Sequence, residues 1–194
     1  MIEEDDIRIT VKFWNIMAGN LGASKKAIGK LNSILDLCLA DRPTAASLTE
    51  VPRRGRQVLD AAARARGYRM IAESESAWHA EALNSHSRAV LLVHESQDVV
   101  HGEAYRLGQD EKTCFIAGPH DRVTAEVASA TIMLDSRPFT LAGVRTPAAG
   151  KNVAHEAAIA WARGLYDAFG ATILGGDWCQ FTTDGSPIPT PSQY

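Results

Sequence analysis

The chain has 194 residues, 45% of them apolar and 22% charged, with a formal net charge of -3. That size and balance suit one soluble globular domain with a substantial core, and they argue against an overall electrostatic grip on nucleic acid while leaving room for a local basic patch. The N-terminus, MIEEDDIRIT, is acidic and lacks a basic stretch followed by an apolar run, and nothing approaches the roughly 20 apolar residues of a membrane span. The expectation is a cytoplasmic protein with no membrane partner. Three widely spaced cysteines, Cys38, Cys114 and Cys179, fit reduced thiols better than a disulfide framework or a zinc site.

In IRITVKFWNI the apolar residues Ile7, Ile9, Val11 and Phe13 alternate with polar ones, which is the period of a half-buried strand, and Asn15 continues its inward face. Ser24 can cap a following helix in which Ile28, Leu31, Leu35, Cys38 and Leu39 recur at helical spacing, ending before Pro43. TAASLTE reads as a second strand ending on Glu50. A helix over RRGRQVLDAAARARG stops at Gly67, and YRMIAE is a third strand. SRAVLLVHE, EKTCFIAG and RVTAEVASATIML then follow with few helical signals between them, which suits antiparallel strands. LDSRPFTLAGV reads as two strands joined by a turn at Asp135, Ser136 and Arg137. Asn152 can cap a helix with Ala157, Trp161, Leu165 and Phe169 on one face and Gly170 at its end, after which ATILGGD is a short buried strand delivering Asp177. The tail, TTDGSPIPTPSQY, is rich in proline and poor in apolar residues and reads as irregular.

This order argues against a doubly wound nucleotide fold, which would keep alternating strands with helices. AGNLGASKK has neither the GxxxxGK[ST] nor the GxGxxG spacing of a phosphate loop. Two sheets packed face to face with helices outside fit better. Asn15, Glu50 and Asp177 then all stand at C-terminal strand ends, where ligand sites of layered α/β folds gather. Each alone is more often a cap or turn residue. Together, two carboxylates and an amide suit a hard divalent cation, Mg²⁺ or Mn²⁺.

FWNIMAGN, SLTEV, RPFTLAGVRTP and LGGDWCQ, in this order, resemble the successive motifs of the endonuclease/exonuclease/phosphatase family, the deoxyribonuclease-I-like metal-dependent phosphodiesterases. The resemblance runs from Ile7 to Gln180 and implies a domain over residues 1–180 and a Pro-rich tail over 181–194. The implied fold is a four-layer α/β sandwich of two mixed, mainly antiparallel sheets with flanking helices, the last strands of the family's fold falling beyond Tyr194. The implied activity is Mg²⁺- or Mn²⁺-dependent hydrolysis of a phosphoester, with DNA or RNA among the substrates of the family. By resemblance, Glu50 is the principal metal ligand, Asn15 binds metal or phosphate beside it, and Asp177 orients the attacking water or helps hold the metal.

The chain also departs from the family pattern. Cys179 stands where the family has an asparagine that donates to phosphate, and Arg145 where histidine or tyrosine is common. Arginine pairs with phosphate through two hydrogen bonds but transfers no proton near neutral pH. The family's late Asp-His pair has no counterpart before Tyr194, so an inactive phosphate- or nucleic-acid-binding module of the same fold is the alternative expectation. Arg53, Arg54 and Arg56 stand a few residues beyond Glu50 and can hold a polyanion or simply form a solvated helical turn. His79 and His86, in a segment that flanks the family's cleft, are further substrate contacts by resemblance. His120 and His155 read as loop and helix-start residues, His94 and His101 as strand-end and turn residues, and Trp14 and Trp178 as packing residues.

Overall fold

A computed structural model describes residues 9–16, 25–51, 56–73, 88–107, 115–118, 121–123, 125–145 and 172–177. The first half alternates as its periodicity implies: β1 (Val11–Asn15), α1 (Lys25–Leu39), β2 (Ala45–Val51), α2 (Arg56–Arg64) and β3 (Tyr68–Glu73). Strands follow: β4 (Arg88–His94), β5 (Asp98–Leu107), β6 (Phe115–Gly118), β7 (Asp121–Val123), β8 (Ala125–Leu134), β9 (Arg137–Arg145) and β10 (Thr172–Asp177). Two four-stranded sheets result, ordered β1-β2-β4-β3 and β10-β9-β8-β5, beside a β6-β7 pair. Among the described residues β1 with β2 and β10 with β9 run parallel, and the other pairings are antiparallel. The architecture is the α/β sandwich of two mixed, mainly antiparallel sheets.

Periodicity explains how the layers assemble. Leu31, Leu35, Cys38 and Leu39 of α1 and Leu59 and Ala63 of α2 fall on one face of each helix and pack with Ala46, Leu48, Val90 and Leu92, the outer face of the first sheet. Alternate residues of the same strands, Ala45, Leu91 and Val93, turn the other way and meet Ala128, Ala130, Ile132 and Leu141 of the second sheet. The helices are tied by Arg66, whose guanidinium donates to the Asp36 carboxylate at 2.7 and 3.0 Å. Gly67, at φ 78°, carries the chain out of α2 in a conformation that glycine adopts without a Cβ clash. Tyr68 is buried, and its hydroxyl donates to the Pro43 carbonyl at 2.8 Å.

The start of the helix expected from Arg53 lies outside the described residues, in which α2 runs from Arg56. Two readings change. The run RVTAEVASATIML is split into β7 and β8. His101, read as a turn residue, lies inside β5, where its imidazole pairs with Glu103. The turn between β8 and β9 is tight: Leu134 pairs with Arg137, leaving Asp135 (φ 45°) and Ser136 (φ 64°) as a two-residue loop of the type that matches hairpin twist. The helix expected over residues 152–169, Ser24, Cys114 and the tail lie outside the described residues. No helix among the described residues is long and apolar enough to cross a membrane.

Candidate active site

Four strands carry polar residues to one end of the sandwich, and their registers fix which residues share a level. In the first sheet Val11 pairs with Ala45, Phe13 with Ser47 and Asn15 with Thr49. In the second, Leu141 pairs with Ile173, Gly143 with Gly175 and Arg145 with Asp177. Ala45, Val11, Leu141 and Ile173 belong to one core cluster. One level on, a Cβ added at Gly143 would fall on the Ser47 side chain, and one at Gly175 would lie 2.5 Å from the Phe13 ring. Two successive levels therefore match across the interface, so β1, β2, β9 and β10 advance in one direction. The next level is Asn15 and Thr49 from one sheet, Arg145 and Asp177 from the other.

Gly175 and Gly176 both stand where a Cβ would meet neighbouring atoms. Gly175 leaves room for the Phe13 ring, and Gly176, at φ 153°, would place a Cβ within 2.7 Å of the Val144 carbonyl carbon. Phe13 and the glycines thus close the sandwich immediately beneath the polar level.

Glu50 is set apart by its backbone. Leu48 pairs with Val90 but Val51 with Arg88, so β2 takes three steps while β4 takes two, and the extra residue makes a bulge. Glu50 adopts φ 58°, a left-handed conformation that costs a non-glycine residue about 1–2 kcal/mol. Such strain persists where the surroundings enforce it and clusters at functional sites. The Glu50 carboxylate is half-buried, and no hydrogen bond or ion pair engages it among the described residues. Beside it, Thr49 is only 2% exposed, and its Oγ1 has no hydrogen-bond partner; Ser47 Oγ, one level below, is in the same condition. An unsatisfied buried hydroxyl costs about 1–3 kcal/mol. The Thr49 carbonyl accepts from the Ile16 amide at 3.1 Å, which fixes the end of β1 against β2 next to Asn15.

Among the described residues no three His, Cys, Asp or Glu side chains gather closely enough to hold a metal by themselves. A Mg²⁺-type ion does not require that, since it is commonly held by one or two carboxylates and keeps several waters. The orphaned hydroxyl and the amide that share a level, and the unengaged carboxylate of the next residue along β2, are hard oxygen donors of the kind that such an ion takes. Of the basic residues, Arg56 opens α2 and pairs with Glu73 of β3 at 2.6 Å, so a phosphate there would share its guanidinium with a carboxylate. Arg145 ends β9 half-buried, level with Asp177. Arg53, Arg54, His79, His86 and Cys179 lie outside the described residues, as does the side chain of Asp177. Sequence reading missed Ser47 and Thr49, whose signal is the alternation of hydroxyls in SLTE on the strand face that turns inward.

No protein-family model matches the sequence, and no curated protein does. Solved structures do match. A Bacteroides vulgatus endonuclease/exonuclease/phosphatase superposes with a TM-score of 0.63 over 92% of this chain and 67% of its own, at 14% identity. A mannosyl-6-phosphatase of Bacteroides thetaiotaomicron gives 0.63 over 91% and 67%, at 15% identity. TDP2 of D. rerio, solved with a single-strand DNA product, gives 0.58 over 92% and 66%, at 13% identity. The chain is thus a two-sheet α/β sandwich with its polar residues at one end. Its fold is the one that these solved structures share, an endonuclease/exonuclease/phosphatase among them. It spans between 50% and 67% of the length of the structures it matches.

Proposed function

We propose that this chain is a divalent-cation-dependent phosphoester hydrolase of the nuclease or phosphodiesterase type, working in the cytoplasm with Mg²⁺ or Mn²⁺. The observation that carries the reading is the strand register: Asn15 and the Thr49–Glu50 bulge of one sheet reach the same end of the sandwich as Arg145 and Asp177 of the other. The fold neighbours include a phosphatase and a protein solved with a DNA product, which supports a phosphoester as substrate, DNA or RNA among the choices.

In this reading Glu50 is the principal ligand of the cation, with Asn15 beside it. The bound cation supplies polarisation of a phosphoryl oxygen and neutralises charge developing on the leaving oxygen. Asp177 accepts a hydrogen bond from the attacking water and orients it. Arg145 clamps the phosphate with its planar fork, and Arg53, Arg54, Arg56, His79, His86 and Cys179 are the candidates for contacts to the rest of the substrate.

The test needs no choice of substrate. Mn²⁺ titration followed by electron paramagnetic resonance should show saturable binding that Glu50→Ala abolishes, and hydrolysis of a bis-aryl phosphate should be lost with it. Equal Mn²⁺ binding by both proteins refutes the assignment. Arg145 favours one second reading, a phosphate- or nucleic-acid-binding module without turnover, because arginine holds phosphate but moves no proton near neutral pH. That module would bind an oligonucleotide with an affinity that falls as salt rises, and would hydrolyse nothing.

A further inference from the structure

Two hydroxyls on the inner face of β2 lack partners, and they differ in position. Ser47 is fully sealed opposite Gly143, within the packed level. Thr49 lies one level higher, paired in register with Asn15 and adjoining Glu50, and it retains 2% exposure. Valine, with the same shape as threonine, would fill position 49 without an orphaned hydroxyl if packing alone mattered. The bulge and the left-handed Glu50 follow directly, so Thr49 is the last residue of β2 before the backbone turns at Glu50.

We propose that Thr49 is a positioning residue of the cation site, resting on the metal-dependent reading above: its hydroxyl donates to the Glu50 carboxylate or to the cation's water shell once a divalent ion binds. In the metal-free protein the hydroxyl is an unsatisfied cost. With the ion bound it holds the ligand oxygen in place, as partners of ligating carboxylates do, and losing such a partner lowers metal affinity by about 10–100-fold.

This assigns Thr49→Val two effects of opposite sign. Its metal-free unfolding midpoint should rise by about 2–4 °C, while its Mn²⁺ affinity, read by electron paramagnetic resonance, should fall by about tenfold or more. Thr49→Ser, which keeps the hydroxyl, should retain Mn²⁺ affinity within about threefold of the native chain, well short of that loss. Ser47→Ala, which removes the sealed hydroxyl, should raise the midpoint without changing Mn²⁺ affinity. Unchanged Mn²⁺ affinity in Thr49→Val, with binding lost in Glu50→Gln, overturns this proposal alone. Equal losses in Thr49→Val and Thr49→Ser also overturn it, because the methyl packing would then be responsible. Native Mn²⁺ binding in Glu50→Gln overturns the metal-site reading and this proposal with it.

Discussion

Replacing Gly143 with alanine would drive a methyl group into the interface between the sheets immediately below the site. The new Cβ would fall on the Ser47 hydroxyl and lie 2.6 Å from the Ser47 Cβ. Carbon atoms pack at about 3.5–4.0 Å, so the two strands must separate by about 1 Å to accept it. The clash is with the stem of a short side chain buried in a strand, so no rotation relieves it. Overpacking of this kind costs about 1–3 kcal/mol. At about 2–4 °C per kcal/mol for a chain of this size, the unfolding midpoint should fall by about 2–12 °C.

Ser47→Gly removes both atoms the new methyl strikes, at the cost of about 0.5–1 kcal/mol for a glycine within a strand. The double variant should therefore recover most of the loss, and urea unfolding of the four proteins of the cycle should give a coupling energy of about 1–2 kcal/mol. The separation also lies between Asn15 and Thr49 on one side and Arg145 on the other, so Mn²⁺ binding should weaken in Gly143→Ala and return in the double variant. Additive stabilities, within about 0.5 kcal/mol, would refute the face-to-face placement of Ser47 and Gly143 and the matching of levels built on it.

Three further outcomes follow from other parts of the molecule. Glu50→Gly relieves the left-handed backbone while deleting the carboxylate; its unfolding midpoint should be no lower than the native one although Mn²⁺ binding is lost, as calorimetry with and without Mn²⁺ will check. Burial pushes the Cys38 thiol from 9.0 up to about 11 and the Tyr68 phenol from 10.0 up to about 12, so the unfolded chain ionises first. Stability should hold below about pH 9 and fall from there to about pH 12, and urea midpoints for Cys38→Ala should begin their decline later than the native ones. A double-mutant cycle on Arg56 and Glu73 should give a coupling below about 1 kcal/mol that shrinks with salt, because the arginine is largely exposed.

Most of the first half was legible because its sheet is faced on both sides. Alternation in VKF and AASL reflects one face toward the helices and one toward the second sheet, and the helical spacing from Leu31 to Leu39 reflects a single buried stripe. β5 escaped notice for a tertiary reason. DVVHGEAYRL carries Gly102 where an apolar residue would mark the strand, because the Ile71 side chain and carbonyl fill that space, a Cβ there falling 2.9 Å from the Ile71 oxygen. Hydrophobic periodicity reports what a residue buries of its own surface and is silent where a neighbour fills the gap.

The same limit divides the site. Asn15, Glu50 and Asp177 stand out in the sequence as candidates because each is a polar residue closing an apolar run. What brings Asn15 and Thr49 level with Arg145 and Asp177 is the match through Phe13, Ser47, Gly143 and Gly175, and no local pattern encodes that. Gly175 stands where a Cβ would meet the Phe13 ring, a partner far away in the sequence. The bulge that sets Glu50 apart depends on β4 pairing one residue short of β2, a mismatch between strands some forty residues apart. A change confined to Gly143 or Phe13 therefore disturbs the polar level without touching a residue that chemistry would single out. The sites most sensitive to mutation in this chain should thus include apolar and glycine positions one level beneath the carboxylates.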